Sequence, residues 1–213
     1  IGTIGKPFFN VEVRFLEDGE LLVRGPNVMK GYWDDPVATQ QAIDEDGWLY
    51  TGDIGKFTEK GNLKITDRKK HILVSSGGKN IAPQPIENLL SQSPYIEQCI
   101  LIGDRREYCT ALITPDFDQL TKLADNFGIK FDNVSELISN EKIIKTIKQD
   151  IDRLQKDLAK YERVRKFSLL SQPFTVENGE LSPKMSIKRH VVERKFAHLI
   201  ESMYGFEEEK LKY

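Results

Sequence analysis

The sequence predicts an α+β protein in two parts: a β-rich, turn-dense piece over residues 1–67, then a small α+β unit over 68–213 whose short sheet is flanked by helices. Three observations carry that expectation. Up to Asp67 the apolar residues come in short alternating runs, punctuated by Asp-Gly and Lys-Gly pairs that mark hairpins. Beyond His71 two apolar runs, IEQCILIG and CTALITP, stand either side of the charged Asp104-Arg105-Arg106-Glu107, as adjacent antiparallel strands would. From Phe117 to Tyr161 the apolar spacing becomes three and four, the period of a helix buried along one stripe.

In chain order, Val11–Leu16 and Glu20–Gly25 flank Asp18-Gly19 and read as a hairpin. Pro26 to Trp33 reads as a loop whose apolar Val28, Met29, Tyr32 and Trp33 are expected to be buried. Asp35 is placed to cap a short helix with Pro36 at its first position, because proline needs no amide partner there. Asp46-Gly47 ends that unit, Trp48-Leu49-Tyr50 returns as a strand, and Gly52-Asp53 reads as a glycine turn. FTEKGNLKIT makes another hairpin around Lys60-Gly61. His71-Ile72-Leu73-Val74 is a short strand, and Pro83–Leu90 is a helix with Pro85 still in its tolerant first turn. Ile144, Ile147, Ile151, Leu154, Leu158 and Tyr161 form a seam of under three heptads, which favours packing on the unit's own sheet over a coiled coil. Lys166–Ser171 is a further strand, Asn178-Gly179 a turn, and Ile187–Tyr204 a terminal helix.

Charged residues make up 30% of the chain, yet 31 basic against 33 acidic side chains leave a formal charge of −2, which argues against bulk electrostatic binding of nucleic acid. The two cysteines, Cys99 and Cys109, could pair, but no dense disulfide framework exists and two reduced thiols are the favoured reading. No apolar run approaches the ~18 residues that would span a bilayer. The chain begins at Ile1 rather than Met, as a piece of a longer protein would.

The chemistry concentrates between Tyr50 and Glu87. Asp53 offers a carboxylate that can accept two hydroxyls, and Arg68 a planar fork of donors. Gly77-Gly78, behind Ser75-Ser76, allows backbone to approach a ligand without a Cβ in the way. Each feature alone also reads blandly, as a turn, a solvated charge run and a loop. Asp67–Lys70 is a short charged connector, not a Gly/Ser linker, and that suits a hinge whose side chains stay solvated while the backbone turns.

Taken in order, GELLVRGPNVMKGYW (19–33), GWLYTGD (47–53), ITDRKKHILVSSGGKNIAPQPIE (65–87) and NGELSPKMSIKR (178–189) resemble the C-terminal third of AMP-forming acyl-CoA synthetases, in the adenylate-forming superfamily. The wording KNIAPQPIE and the helical insert after Pro115 are similar to the long-chain fatty acid branch. The resemblance implies a fold in which residues 1–67 end a large AMP-binding domain and 68–213 form a rotating lid. It also implies ATP, magnesium and coenzyme A as reactants or cofactors, and a fatty acid as the acid substrate. By position it implies that Asp53 and Arg68 hold the ribose, that Tyr50 lies near the nucleotide, and that Lys70 is the hinge. Ser75, Ser76, Gly77 and Gly78 then face the pantetheine tunnel. The phosphate loop, acyl pocket and magnesium-binding glutamate of the family lie upstream of this chain, so the piece alone is expected to be inactive and to need its missing N-terminal domain.

The sequence departs from the family at its last motif. Members carry a catalytic lysine there, whereas alignment on Lys188-Arg189 puts Ser186 in its place. Lys184, in the loop after Pro183, is the favoured substitute because a loop lysine extends freely; Lys188, at the start of the terminal helix, is the alternative. Two other readings stay open: an adenylating enzyme that delivers to a carrier-protein phosphopantetheine, and a non-catalytic interaction module derived from the family. The expected location is cytoplasmic, with peripheral attachment to the inner face of a membrane left open.

Overall fold

A computed structural model describes residues 2–205; the ends of the 1–67 and 68–213 expectations at residue 1 and at 206–213 lie outside the described residues. The chain forms two compact units, Ile1–Ile72 and Leu73–Tyr213. The first ends beyond Asp67 because Arg68 still pairs as a strand residue and Lys69 is tied to two carboxylates of the same unit.

The first unit is a four-stranded antiparallel meander, β1 (Glu12–Phe15), β2 (Glu20–Arg24), β3 (Leu49–Phe57) and β4 (Leu63–Arg68), in the order β1-β2-β3-β4. Its helix α1 (Pro36–Ala42) begins as expected: the Asp35 side chain accepts the Ala38 amide and Pro36 follows it. Leu21, Leu22, Trp48 and Leu63 are buried. Trp48 is covered by guanidinium groups, with Arg14 4.2 Å and Arg24 4.6 Å from the ring centroid. The loop apolar residues correct the expectation of burial: Val28 is half-buried, Met29 and Tyr32 are exposed, and Trp33 is 98% exposed. Their loop passes through a left-handed Asp34 (φ 52°) and is tied to α1, where the Tyr32 amide donates to Thr39 Oγ1 (2.9 Å).

The second unit opens with a two-stranded ribbon, β5 (Leu73–Val74) and β6 (Asn80–Ile81), then α2 (Pro83–Leu90). Its sheet has the order β7-β8-β9, with β7 (Ile96–Ile102) antiparallel to β8 (Cys109–Pro115) and β9 (Val164–Leu169) parallel to it. A parallel neighbour needs a long crossover. Helices α3 (Phe117–Asn126), α4 (Val134–Ser139) and α5 (Glu141–Leu154) supply it.

Burial on both sheet faces explains why β8 is apolar or buried throughout. One face packs on α2 through Ile86 and Leu90, on α3 through Leu120, and on α5 through Ile143, Ile147 and Ile151. The other packs on α6 (Arg189–Lys195) and α7 (Ala197–Met203) through Val192, Ile200 and Met203. The buried α5 stripe keeps Ile147 and Ile151 of the expected seam but takes Ile143 in place of Ile144, which is exposed. The helix also stops at Leu154, so Leu158 and Tyr161 lie in the following loop. The terminal helix is two helices, broken at Phe196 (φ −106°, ψ 21°), and it starts at Arg189 because Ile187 bridges to Leu181. Among the described residues no helix is long and apolar enough to cross a membrane.

Candidate functional site

In the first unit the site is built on a bulge. Across β2 and β3, Leu22 faces Tyr50 and Glu20 faces Ile54, so Thr51-Gly52-Asp53 is looped out of the ladder. The expected glycine turn is therefore a kink within a strand, and Gly52 supplies the left-handed backbone it needs (φ 70°). Three bonds hold its shape. Thr51 Oγ1 donates to the Leu21 carbonyl (2.7 Å), the Gly52 amide donates to Glu20 Oε1 (3.1 Å), and the Asp53 amide donates to Thr51 Oγ1 (3.1 Å).

The bulge presents Asp53 directly across from Arg68 of β4, whose Nε lies 2.7 Å from Asp53 Oδ1. The carboxylate is 25% exposed and the guanidinium 57%, so both remain reachable while oriented by each other. Tyr50 is exposed on β3. Beside them, Asp67 is buried and Lys70 is exposed in a single 3-10 turn, Lys69–His71.

In the second unit, Ser75–Gly78 makes the tight turn joining β5 to β6. The Ser75 amide donates to the Lys79 carbonyl (3.0 Å), the Lys79 amide to Ser75 Oγ (3.1 Å), and Gly78, at φ 72°, donates to the Ser75 carbonyl (2.8 Å). Ser75 is consequently buried within its own turn, while Ser76, Gly77 and Gly78 are exposed. The turn is fastened to the β7–β8 connection: the Ser76 amide donates to the Arg106 carbonyl (2.9 Å) and the Val74 amide to Asp104 Oδ1 (3.0 Å).

The two candidate lysines sit on a small hairpin. Leu181 bridges to Ile187, Ser182 donates through its amide to the Ser186 carbonyl (2.8 Å), and Pro183-Lys184-Met185 form the loop. This is a three-residue hairpin closed by a left-handed residue, a position that favours glycine but here holds Met185 (φ 61°). Lys184 is exposed at the tip and makes no ion pair or hydrogen bond among the described residues. Lys188 is half-buried at the base, where its amide donates to the Glu180 carbonyl (2.8 Å) and it opens α6. Ser186 is exposed and donates its amide to Ser182 Oγ (3.1 Å).

The base of that hairpin is held by two carboxylates that sequence reasoning missed. Glu180 pairs with Lys195 (2.5 Å) and accepts the Thr175 amide (3.0 Å). Burial opposes its ionisation, but the Lys195 bond and that amide outweigh it and hold the carboxyl below its ordinary range. Glu87, on α2, accepts the Leu101 amide (2.7 Å) and pairs with Arg189, which itself donates to the Leu101 carbonyl (2.8 Å). A signal for Glu87 did exist: it stands in the apolar stripe Pro83, Ile86, Leu90 of its helix, where a charge demands a partner. Cys99 and Cys109 are free and buried; burial pushes both thiols up, Cys109 to about 11.

Among the described residues no three histidines, cysteines or carboxylates converge to hold a metal ion.

Residues 70–208 match the family described as AMP-binding enzyme C-terminal domain. A long-chain-fatty-acid–CoA ligase (FadD15) of Mycobacterium tuberculosis is 41% identical over 208 residues, covering 97% of this chain and 34% of that protein. Human long-chain-fatty-acid–CoA ligase 1 is 40% identical over 191 residues, covering 88% of this chain and 27% of that protein. The adenylation domain of a carboxylate reductase from Mycobacterium chelonae superposes with a TM-score of 0.76 at 25% identity, covering 94% of this chain and 31% of that one. The chain thus spans about a third of the length of the curated relatives it matches. It belongs to the family of AMP-binding enzyme C-terminal domains, and its curated relatives are long-chain-fatty-acid–CoA ligases.

Proposed function

We propose that this chain is the C-terminal part of a long-chain fatty acid–CoA ligase, and that the hydrogen-bonded bulge carrying Asp53 opposite Arg68 is its ribose-holding half-site. In the first half-reaction a fatty acid carboxylate oxygen attacks the α-phosphorus of ATP. A P–O bond forms and pyrophosphate leaves, giving an acyl-adenylate. In the second, the sulfur of coenzyme A attacks the acyl carbon, AMP leaves with the C–O bond electrons, and the thiol proton passes to base.

Asp53 accepts the two ribose hydroxyls, which a carboxylate does well because it has two oxygens free of donors of its own. Arg68 fixes the plane of that carboxylate and adds a donor to the ribose. Tyr50 lies along the nucleotide. Lys184 reaches from the hairpin tip to neutralise charge gathering on the carboxylate and α-phosphate, an electrostatic contribution worth several kcal/mol; Lys188 is the alternative. Lys70 is the hinge about which residues of the second unit turn between the half-reactions, and Ser75, Ser76, Gly77 and Gly78 then border the pantetheine arm. The first unit is read as the end of a large AMP-binding domain and the second as its lid. The piece alone is expected to be inactive, since it carries neither phosphate loop nor acyl pocket. Peripheral attachment to a membrane and a cytoplasmic location belong to the same reading of the parent enzyme.

The test is ATP–pyrophosphate exchange and thioester formation by the full-length ligase with acids of increasing chain length. Exchange that depends on a long-chain acid, followed by thioester only with coenzyme A, is the expected result. A carrier-protein acceptor is the second reading, supported by the likeness to the A-PCP didomain of a carboxylic acid reductase. Exchange without any thioester to coenzyme A supports that second reading, and no acid-dependent exchange at all overturns both.

A further inference from the structure

Lys69 is assigned no part in the site above, yet together with Glu20, which accepts the Gly52 amide, it closes a ring around the bulge. Glu20 opens β2, and its side chain is 5% exposed. One of its carboxylate oxygens accepts the Gly52 amide at the bulge (3.1 Å), and the other accepts from Lys69 Nζ (2.7 Å). The same ammonium lies 2.7 Å from Asp18 Oδ2, and Asp18 Oδ1 accepts the Glu20 amide (3.0 Å). Lys69 directly follows Arg68, and Gly52 directly precedes Asp53. The peptides Gly52-Asp53 and Arg68-Lys69 are therefore tied at two points, by Asp53 with Arg68 and by Glu20 bridging Gly52 to Lys69.

A buried carboxylate with one amide and one cation is costly to strand, because removing either partner leaves an under-paired charge out of water. The hydrogen bonds it donates to Asp18 and Glu20 hold the Lys69 ammonium charged, its pKa raised to about 12. Its neighbour Lys70 is exposed in the 3-10 turn.

We infer that Glu20 and Lys69 are positioning residues that clamp the Asp53 bulge to the Arg68 strand end, so that rotation begins at Lys70 and does not disturb the ribose-holding pair. Lys69 directly follows the end of β4, and Glu20 is the pin that ties its ammonium to the Gly52 amide of the bulge. This inference rests on the ligase reading for its functional half only, since the clamp itself is a property of the first unit.

The experiment has two arms on the full-length protein. In the first, hydrogen exchange of the Gly52 amide is compared in wild type, Lys69→Met, Lys69→Arg and Glu20→Gln, with the β1–β2 amides as a fold control. Lys69→Met is expected to speed Gly52 exchange at least 10-fold with the control unchanged, and Lys69→Arg to restore most of the protection. Unchanged Gly52 protection in Lys69→Met overturns the clamp, as does loss of protection across β1–β2 together with Gly52.

In the second arm, pyrophosphate exchange is measured against ATP concentration. Lys69→Met and Glu20→Gln are each expected to raise KM for ATP about 10-fold, and the double variant to be no worse than Lys69→Met alone because both break one ring. Full additivity, or normal KM in Lys69→Met, overturns the positioning role. A wild type with no exchange activity refutes the ligase reading while leaving the Gly52 result to judge the clamp.

Discussion

The bulge that carries Asp53 and the hairpin that carries Lys184 solve opposite problems. The bulge interrupts a central strand and is held on every side: by Thr51 to Leu21, Gly52 to Glu20, and Asp53 to Arg68. Its functional carboxylate already has a cation in contact, so little is left to organise when a ligand arrives. The Pro183–Met185 loop is instead closed by short bonds of its own, Ser182 with Ser186 and Met185 with Ser182, above a base held by Glu180 with Lys195 and Glu87 with Arg189, while its tip projects an unpaired Lys184. In the proposed mechanism, strand pairing suits a group that would keep one orientation through two reactions, and a short exposed loop suits a cation that would arrive, act once and leave.

Breaking the anchor of the hairpin gives the largest expected effect. Arg189→Met strands Glu87 in the core beside the Leu101 amide, and removing one partner of a buried pair costs about 3–5 kcal/mol. Native-state hydrogen exchange of the β7 and β8 amides should speed accordingly, whereas a change under about 1 kcal/mol would mean the pair is solvated. At the bulge, Asp53→Ala should lower acid-dependent pyrophosphate exchange by at least about 100-fold, near 2.7 kcal/mol, because ribose hydroxyls lose their acceptor in a closed site. Near-normal exchange would remove Asp53 from the site.

The connector should respond more mildly. Lys70→Pro fixes φ at that position and restricts Lys69 before it, so it should slow thioester formation roughly 10-fold while sparing adenylation. Equal loss of both half-reactions would place the hinge elsewhere. The smallest effect belongs to the hairpin tip. Met185 holds a left-handed backbone that costs about 1 kcal/mol for a residue with a Cβ. Met185→Gly should relieve it, offset in part by glycine's freedom in the unfolded chain, for a net gain of under about 1 kcal/mol in thermal or urea unfolding. A clear loss of stability would show that the Met185 side chain has a packing role despite its exposure.

The two regions were unequally legible in the sequence. Asp18-Gly19, Lys60-Gly61, Pro83 and the paired apolar runs each specify a local conformation through few residues, and the hairpins, α2 and the β7–β8 pair follow them closely. The seam on α5 holds at Ile147 and Ile151 but not at its first position, because Ile143 and Ile144 are adjacent and periodicity alone does not choose between them; burial chooses Ile143. Ile187 reads as helix by composition, but its bridge to Leu181 recruits it into the hairpin and delays the helix to Arg189. The Gly52 turn was recognised as a special backbone position but not as a bulge, since register depends on β2.

What stayed hidden was the charge that turns inward. Glu20 and Lys69 are 49 residues apart and look like solvated faces until the fold brings them together, whereas Glu87 stands in an apolar stripe that demands a partner but does not name Arg189, 102 residues away. The loop aromatics failed in the other direction: Trp33 is apolar and was expected inside, but it is 98% exposed among the described residues.

The contrast between a fixed carboxylate and a mobile cation is tested most directly by measuring the two half-reactions separately in full-length Lys184→Ala and Lys188→Ala. Adenylation is followed by pyrophosphate exchange, and thioester formation is followed from preformed acyl-adenylate. Lys184→Ala is expected to cut adenylation about 100-fold, near 2.7 kcal/mol, and to leave thioester formation from the adenylate within a few-fold of wild type, with Lys188→Ala close to wild type in both. A selective loss in Lys188→Ala, or an equal loss of both half-reactions in Lys184→Ala, would contradict the account.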